Sequence, residues 1–139
     1  MEGYTTFKIA RMLNTTRAAV QMWIDKALIQ PSLYAASGPG TKSIFSKNDI
    51  YRIFLFKLLQ DSGLRQSEAA SISRKIDLEK FSKDRRYIVL KRKKLNGKFN
   101  TRTLITNQLT QEHLSAGDGI ELTIIIDGRR LLKIIDGLK

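Results

Sequence analysis

The chain has 139 residues, with 25 Lys and Arg against 13 Asp and Glu, for a formal net charge of +12. That length suits one domain of ordinary size or two small modules, and a hydrophobic fraction of 42% lets the chain fold rather than remain a basic tail. With no cysteine and a single histidine, His113, the composition excludes disulfides, zinc fingers, thiolate chemistry and His-based metal clusters. No apolar run approaches the roughly 20 residues of a spanning helix, and the stretch from Met1 to Thr6 is too polar for a signal peptide. The expectation is a cytoplasmic protein with no membrane association. Its charge points to a polyanionic partner, most often nucleic acid.

In chain order, Thr5 or Thr6 caps a first short helix running to Leu13, with Ile9, Ala10 and Leu13 as its buried stripe. Asn14-Thr15 reads as a turn. Thr16 caps a second helix through Lys26 that turns Ala19, Val20, Trp23 and Ile24 toward the core. Two short helices, a tight turn and small residues at the crossing (Ala10, Ala18, Ala19) meet the packing demands of a helix-turn-helix. The loop from Pro31 to Lys42 then joins two extended pieces, Ile29–Leu33 and Ser43–Phe45, as a β-wing. Ser46 caps a third helix, Asp49 gives an Asp variant of the capping box, and Gly63 stops the helix after Ser62. Ser67 opens a fourth helix through about Lys75. The third helix is apolar nearly all round (Ile50, Ile53, Phe54, Leu55, Phe56, Leu58, Leu59), which favours a second buried surface, either the C-terminal half or another subunit.

The second half, cut near residue 78, changes to β-branched, alternating residues. Tyr87–Lys93 reads as a strand, Asn96-Gly97 as a hairpin turn and Thr101–Thr106 as the return strand. Thr106 or Asn107 caps a short helix to Ser115 that holds His113. Gly117-Asp118-Gly119 reads as a turn, because a strand and not a helix follows it. Ile120–Ile126 is apolar enough to be a central or covered strand. From Arg129, the spacing of Leu131, Leu132, Ile135 and Leu138 is helical, with a hairpin at Asp127-Gly128 as the alternative. The order is β-β-α-β-α, without an internal repeat.

Certain residues of the first half recur at set spacings: Tyr4-Thr5-Thr6, Ile9-Ala10, Leu13, Val20-x-x-Trp23 and Lys26-x-Leu28-Ile29-x-Pro31. Beyond the wing come Phe45-Ser46-x-x-Asp49-Ile50 and Leu58-Leu59-x-x-x-Gly63-Leu64. In that order, residues 4–75 resemble the MerR-type winged helix-turn-helix. That family's second helix usually starts Ser-Pro-Arg-Thr, with another Arg before an aromatic residue. Here Thr16, Arg17, Ala18, Ala19, Gln21 and Met22 stand at those positions, and Lys42-Ser43 replaces a Tyr-Arg pair ahead of the wing's second strand. The resemblance therefore implies the fold and DNA binding, but not the sequence preference of known members.

If the second helix enters a major groove, its N-terminal residues meet bases or phosphates. Arg17 can form a bidentate contact with guanine or clamp a phosphate, and Gln21 can read adenine through two hydrogen bonds. Thr16 suits a phosphate at the helix N-terminus, with Ala18 beside it. Met22 fits either a thymine methyl or the core, and Lys42 the backbone or minor groove. Trp23 phases with Val20 and belongs to the core. Asp25 repels phosphate, so it is expected away from DNA or paired with a lysine. Basic residues cluster between Lys80 and Lys98. Of these, Lys91, Lys93, Lys94 and Lys98 are accessory phosphate contacts or, equally, a solvated ribbon that protects a sheet edge.

Together these readings give an α+β protein: a MerR-like winged helix-turn-helix (1–77) followed by a small β-β-α-β-α unit (78–139). The expected function is that of a sequence-specific, double-stranded DNA-binding transcriptional regulator acting as a homodimer. It has no cofactor, no metal and no catalytic residues, and its small-molecule effector is left open. Two alternatives stand beside it, an excisionase-like or architectural DNA-binding factor and a protein-interaction module without DNA binding.

Overall fold

Each of the first three helices begins on a hydroxyl that the sequence supplies. In a computed structural model, which describes residues 3–34, 37, 42–76, 87–106, 108–114 and 120–128, Thr5 Oγ1 accepts from Lys8 N at 3.3 Å and starts α1 (Thr6–Met12). Thr16 Oγ1 accepts from Ala19 N at 3.1 Å and starts α2 (Arg17–Asp25). Ser46 starts α3 (Lys47–Asp61) with a reciprocal capping box, in which Ser46 Oγ accepts from Asp49 N at 3.1 Å and Asp49 Oδ2 from Ser46 N at 2.8 Å. The same Oδ2 also accepts from Ser32 N at 2.9 Å and Ser32 Oγ at 2.6 Å. One carboxylate thus ties the segment after α2 to the start of α3. The fourth helix, α4 (Gln66–Lys75), begins one residue earlier than Ser67. Its C-terminal carbonyls at Ser73 and Arg74 accept from Arg52 Nη1 of α3 at 2.6 and 3.0 Å, which satisfies groups a helix end leaves unpaired.

The described residues divide into two compact units, one up to Lys75 and one beginning at Ile76. The core of the first is built from Ile9, Val20, Trp23, Phe45, Ile50, Phe56 and Leu59, all buried. Trp23 meets Phe56 edge-on, with ring centroids 5.2 Å apart and planes at 74°, an arrangement aromatic quadrupoles favour. Trp23 is therefore core, as its phase with Val20 requires. The third helix buries Ile50, Ile53, Leu55, Phe56 and Leu59, while Phe54 is half-buried and Leu58 exposed.

The wing differs from the expected pairing. The strand β2 (Ile44–Phe45) pairs antiparallel with β1 (Tyr4–Thr5), in the register Tyr4↔Phe45 and Thr5↔Ile44. Its other neighbour is a single bridge, Tyr34↔Ile44, rather than a strand over Ile29–Leu33. Pro31 explains the shift: it has no N–H to donate, so pairing starts beyond it, where Leu33 N and Tyr34 N reach Ile44 O.

In the second unit, β3 (Tyr87–Leu95) and β4 (Lys98–Thr106) pair without a gap from Tyr87↔Thr106 to Leu95↔Lys98. Both strands run longer than expected and are flush with the turn. Asn96 and Gly97 have φ of 52° and 77°, the two positive values of a type I′ hairpin. The strand β5 (Ile120–Asp127) pairs with the opposite side of β3, giving the order β4-β3-β5. Of the two alternatives for Ile120–Ile126, central or covered, the central one is corrected, since β3 is central and β5 lies at an edge of the described sheet. Apolar character marked burial on a face, not position in the ladder. The short helix α5 (Gln111–Leu114) starts after Thr110, not after Thr106 or Asn107, because Thr106 Oγ1 is engaged with Gln108 instead. The order among described residues is thus β-β-α-β. Asn107, Ser115, the Gly117-Asp118-Gly119 turn, the helix expected from Arg129, the basic residues Lys80 to Arg86 and the wing tip over 38–41 lie outside the described residues.

Candidate nucleic-acid interface

The capping hydroxyl of Thr16 sets where α2 begins, and the buried pair Val20 and Trp23 sets which way it faces. Arg17, Ala18, Gln21 and Met22 are consequently turned outward, all of them exposed, with Met22 at 39%. The strand pair β1–β2 brings Lys42 and Ser43 next to the start of α1. The outcome is a cleft of about 260 Å³ lined by Thr5, Thr6 and Phe7 of β1 and α1, Arg17 and Gln21 of α2, and Lys42 and Ser43 of the wing. Three of the sequence-derived candidates, Arg17, Gln21 and Lys42, meet there although the wing lies 25 residues beyond Arg17 along the chain. Thr16, Ala18 and Met22 lie outside the cleft lining.

Two details alter the expected chemistry. Gln21 Nε2 donates to Asp25 Oδ1 at 3.0 Å, so the partner found for Asp25 is Gln21 and not a lysine. That bond orients the amide, and bidentate reading of adenine requires Nε2 to leave Asp25. Thr16 Oγ1 accepts from Ala19 N within the cap and keeps its hydroxyl hydrogen to donate.

Phe7 was not singled out from the sequence. It is 58% exposed, lines the cleft, and carries the Arg11 guanidinium 5.9 Å from its ring centroid. The signal was present: Phe7 falls off the Ile9–Ala10–Leu13 stripe of α1, and a large apolar ring off-stripe next to a cation marks a contact surface. Lys8 lies over the Tyr4 ring at 4.8 Å.

The four accessory lysines all belong to the second unit. Lys93, Lys94 and Lys98 are exposed and Lys91 is half-buried. Lys91 and Lys93 line a separate cavity on the sheet, whereas Lys94 and Lys98 lie near the hairpin turn. Among the described residues, no group of three His, Asp or Glu side chains is placed to hold a metal ion, and no helix is long and apolar enough to cross a membrane.

The profile of the MerR HTH family regulatory protein matches residues 4–75, just over half the chain. The chain belongs to the MerR family. No curated protein matches it. As a MerR-type regulatory protein it acts by binding DNA, and the matched span coincides with α1 through α4. Across the matched span Ala18, Gln21 and Lys42 face outward, whereas Ser43 is buried.

Proposed function

We propose that this MerR-type protein is a sequence-specific, double-stranded DNA-binding transcriptional regulator that works in the cytoplasm as a dimer, each subunit reading one half-site. In this reading, residues 1–77 bind DNA, and residues 78–139 form a small α+β unit that pairs subunits or adds backbone contacts through Lys94 and Lys98. The observation that carries it is the convergence of Arg17, Gln21 and Lys42 on one cleft: a forked cation, an amide and a wing cation side by side. The α2 residues supply base-edge readers and Lys42 a backbone anchor, the division of labour that specific duplex recognition needs. The exposed Leu58 on α3 supports pairing with a second copy.

Selection of bound sequences from a random duplex pool tests the reading. A single enriched motif with two-fold symmetry is expected. Binding without enrichment overturns specificity, and sedimentation as a strict monomer on the selected duplex overturns the dimer. A salt titration tests DNA binding itself, because log affinity falls against log salt with a slope of about −0.9 per phosphate neutralised. A flat titration overturns it.

A further inference from the structure

The cleft between α1, α2 and the wing holds one side chain without a polar group. Among its described lining residues, Thr5, Thr6, Arg17, Gln21, Lys42 and Ser43 carry hydroxyls, an amide or cations, and Phe7 is the plain hydrocarbon. Thr6, Ile9 and Ala10 of the same helix are buried, while Phe7 is 58% exposed. A single exposed apolar residue is ordinary on a protein surface. Phe7 is set apart by its company, because it shares the cleft with Arg17 and Gln21, the two base readers of the proposed function. One helical turn on, Arg11 holds its guanidinium 5.9 Å from the ring centroid, at the i, i+4 spacing that brings side chains together on a helix face. A cation in that position is attracted to the ring face, and the ring still lines the cleft.

We propose that Phe7 is a specificity-determining residue that reads the C5-methyl group of a thymine in the major groove. The inference rests on the duplex-binding reading of the same cleft. Chemistry is the first argument. Of the groups that base pairs display in the major groove, the thymine methyl is the apolar one, and Phe is among the side chains that contact it. Arg17 and Gln21 bring hydrogen bonds and Lys42 a charge, so a methyl entering the cleft finds its match in Phe7. Availability is the second argument. Gln21 Nε2 is engaged with Asp25 Oδ1 at 3.0 Å, so reading adenine through Gln21 requires that bond to open. Contact between Phe7 and a thymine methyl identifies an A·T pair without opening it. Position is the third argument. Met22, the large apolar residue on the outward face of α2, lies outside the cleft lining.

Binding of the full-length protein to its selected duplex, with each thymine replaced in turn by deoxyuridine, tests the proposal. The exchange removes a methyl group and leaves base pairing intact. At one thymine in each half-site, affinity is expected to fall about three- to fivefold, the worth of one buried methyl group. Phe7→Ala weakens binding to the thymine duplex and abolishes the sensitivity to exchange at that position, so the two changes are not additive. If Phe7→Ala fails to fold, Phe7→Gln, at the same exposed position, reads the same loss. A selected motif without thymine, or a scan in which no exchange matters, overturns the proposal. So does sensitivity that survives in the folded Phe7 variants, or that Met22→Ala abolishes and they do not. Equal losses for Phe7→Ala on the selected and scrambled duplexes place the ring against the sugar–phosphate backbone and overturn the methyl assignment. A flat salt titration, or a selection without enrichment, overturns the duplex reading and the role of Phe7 with it. Specific, salt-dependent binding without methyl sensitivity overturns the role of Phe7 alone.

Discussion

In the first unit, contacts far apart in sequence do the joining: Trp23 of α2 packs on Phe56 of α3, Asp49 of α3 holds Ser32, and Arg52 closes the end of α4. In the second, a nine-pair ladder runs through a two-residue turn, and a second ladder to β5 builds on the other side of the same strand. The consequence is a difference in where each unit is vulnerable. The first depends on a few buried side chains that several elements share. The second depends on turn geometry that lets every following pair form in register. The two also present different surfaces to a partner. The first offers protruding readers on a helix and a wing, and the second offers a concave face graded from apolar to cationic.

The largest effect expected from this contrast is at the shared core. Trp23→Ala removes a buried ring and its edge-on partner contact, and costs about 3–5 kcal/mol. Urea denaturation followed by circular dichroism measures it. A loss below that of any hairpin variant breaks the contrast. Next comes the reading face, where stability is unaffected and binding changes. Arg17→Ala loses about 1–3 kcal/mol of discrimination between the selected duplex and a scrambled one, if its contact is bidentate. Lys42→Ala weakens both duplexes alike. Competition binding with the two duplexes separates these patterns, and equal losses for Arg17→Ala reassign it to phosphate contact.

Much of the first unit was legible because its signals are local and redundant. Hydroxyl caps at Thr5, Thr16 and Ser46, the Asp49 box and the Gly63 stop each mark a helix end without reference to the rest of the chain. The β1–β2 pair was not legible, since a two-residue strand has no period to detect and its partner lies some forty residues on. Nor was the link from Asp49 to Ser32, because nothing in a serine after a proline announces a distant carboxylate. In the second unit the hairpin was legible from Asn96-Gly97, but the order of strands was not. Burial on a face makes an edge strand as apolar as a central one, which is why Ile120–Ile126 read as either central or covered. The candidate site divides the same way. The outward residues of α2 follow from its phase, whereas the meeting of Arg17 with Lys42, and the addition of Phe7, needed the wing to be folded.

A smaller effect tests the turn that the second unit relies on. Gly97 has φ of 77° and open space where a Cβ would stand, so Gly97→Ala meets a backbone penalty without a clash, about 1–2 kcal/mol. Hydrogen exchange at the β3–β4 amides reads it. Unchanged protection would show that the ladder holds its register without the type I′ turn.

The smallest effect has the opposite sign and comes from a feature repeated three times in the first unit. Helices α1, α2 and α3 all end in the same paired arrangement: Asn14 N to Arg11 O and Thr15 N to Ala10 O, Ala27 N to Ile24 O and Leu28 N to Trp23 O, Gly63 N to Gln60 O and Leu64 N to Leu59 O. These are Schellman motifs, which place the residue after the cap in the left-handed region. Gly63 occupies it freely and Asn14, at φ 53°, tolerates it, but Ala27 sits at φ 56° with a Cβ that resists. Ala27→Gly relieves about 1–2 kcal/mol of that strain and gives back about 0.4–1 kcal/mol through the greater freedom of the unfolded chain. Their difference is a net gain of about 0.5–1 kcal/mol, seen as a raised urea midpoint at constant slope. Because Ala27 is exposed and outside the cleft lining, duplex affinity should not change. A loss of stability would mean that the left-handed geometry at Ala27 relaxes in solution, and that the end of α2 differs from those of α1 and α3.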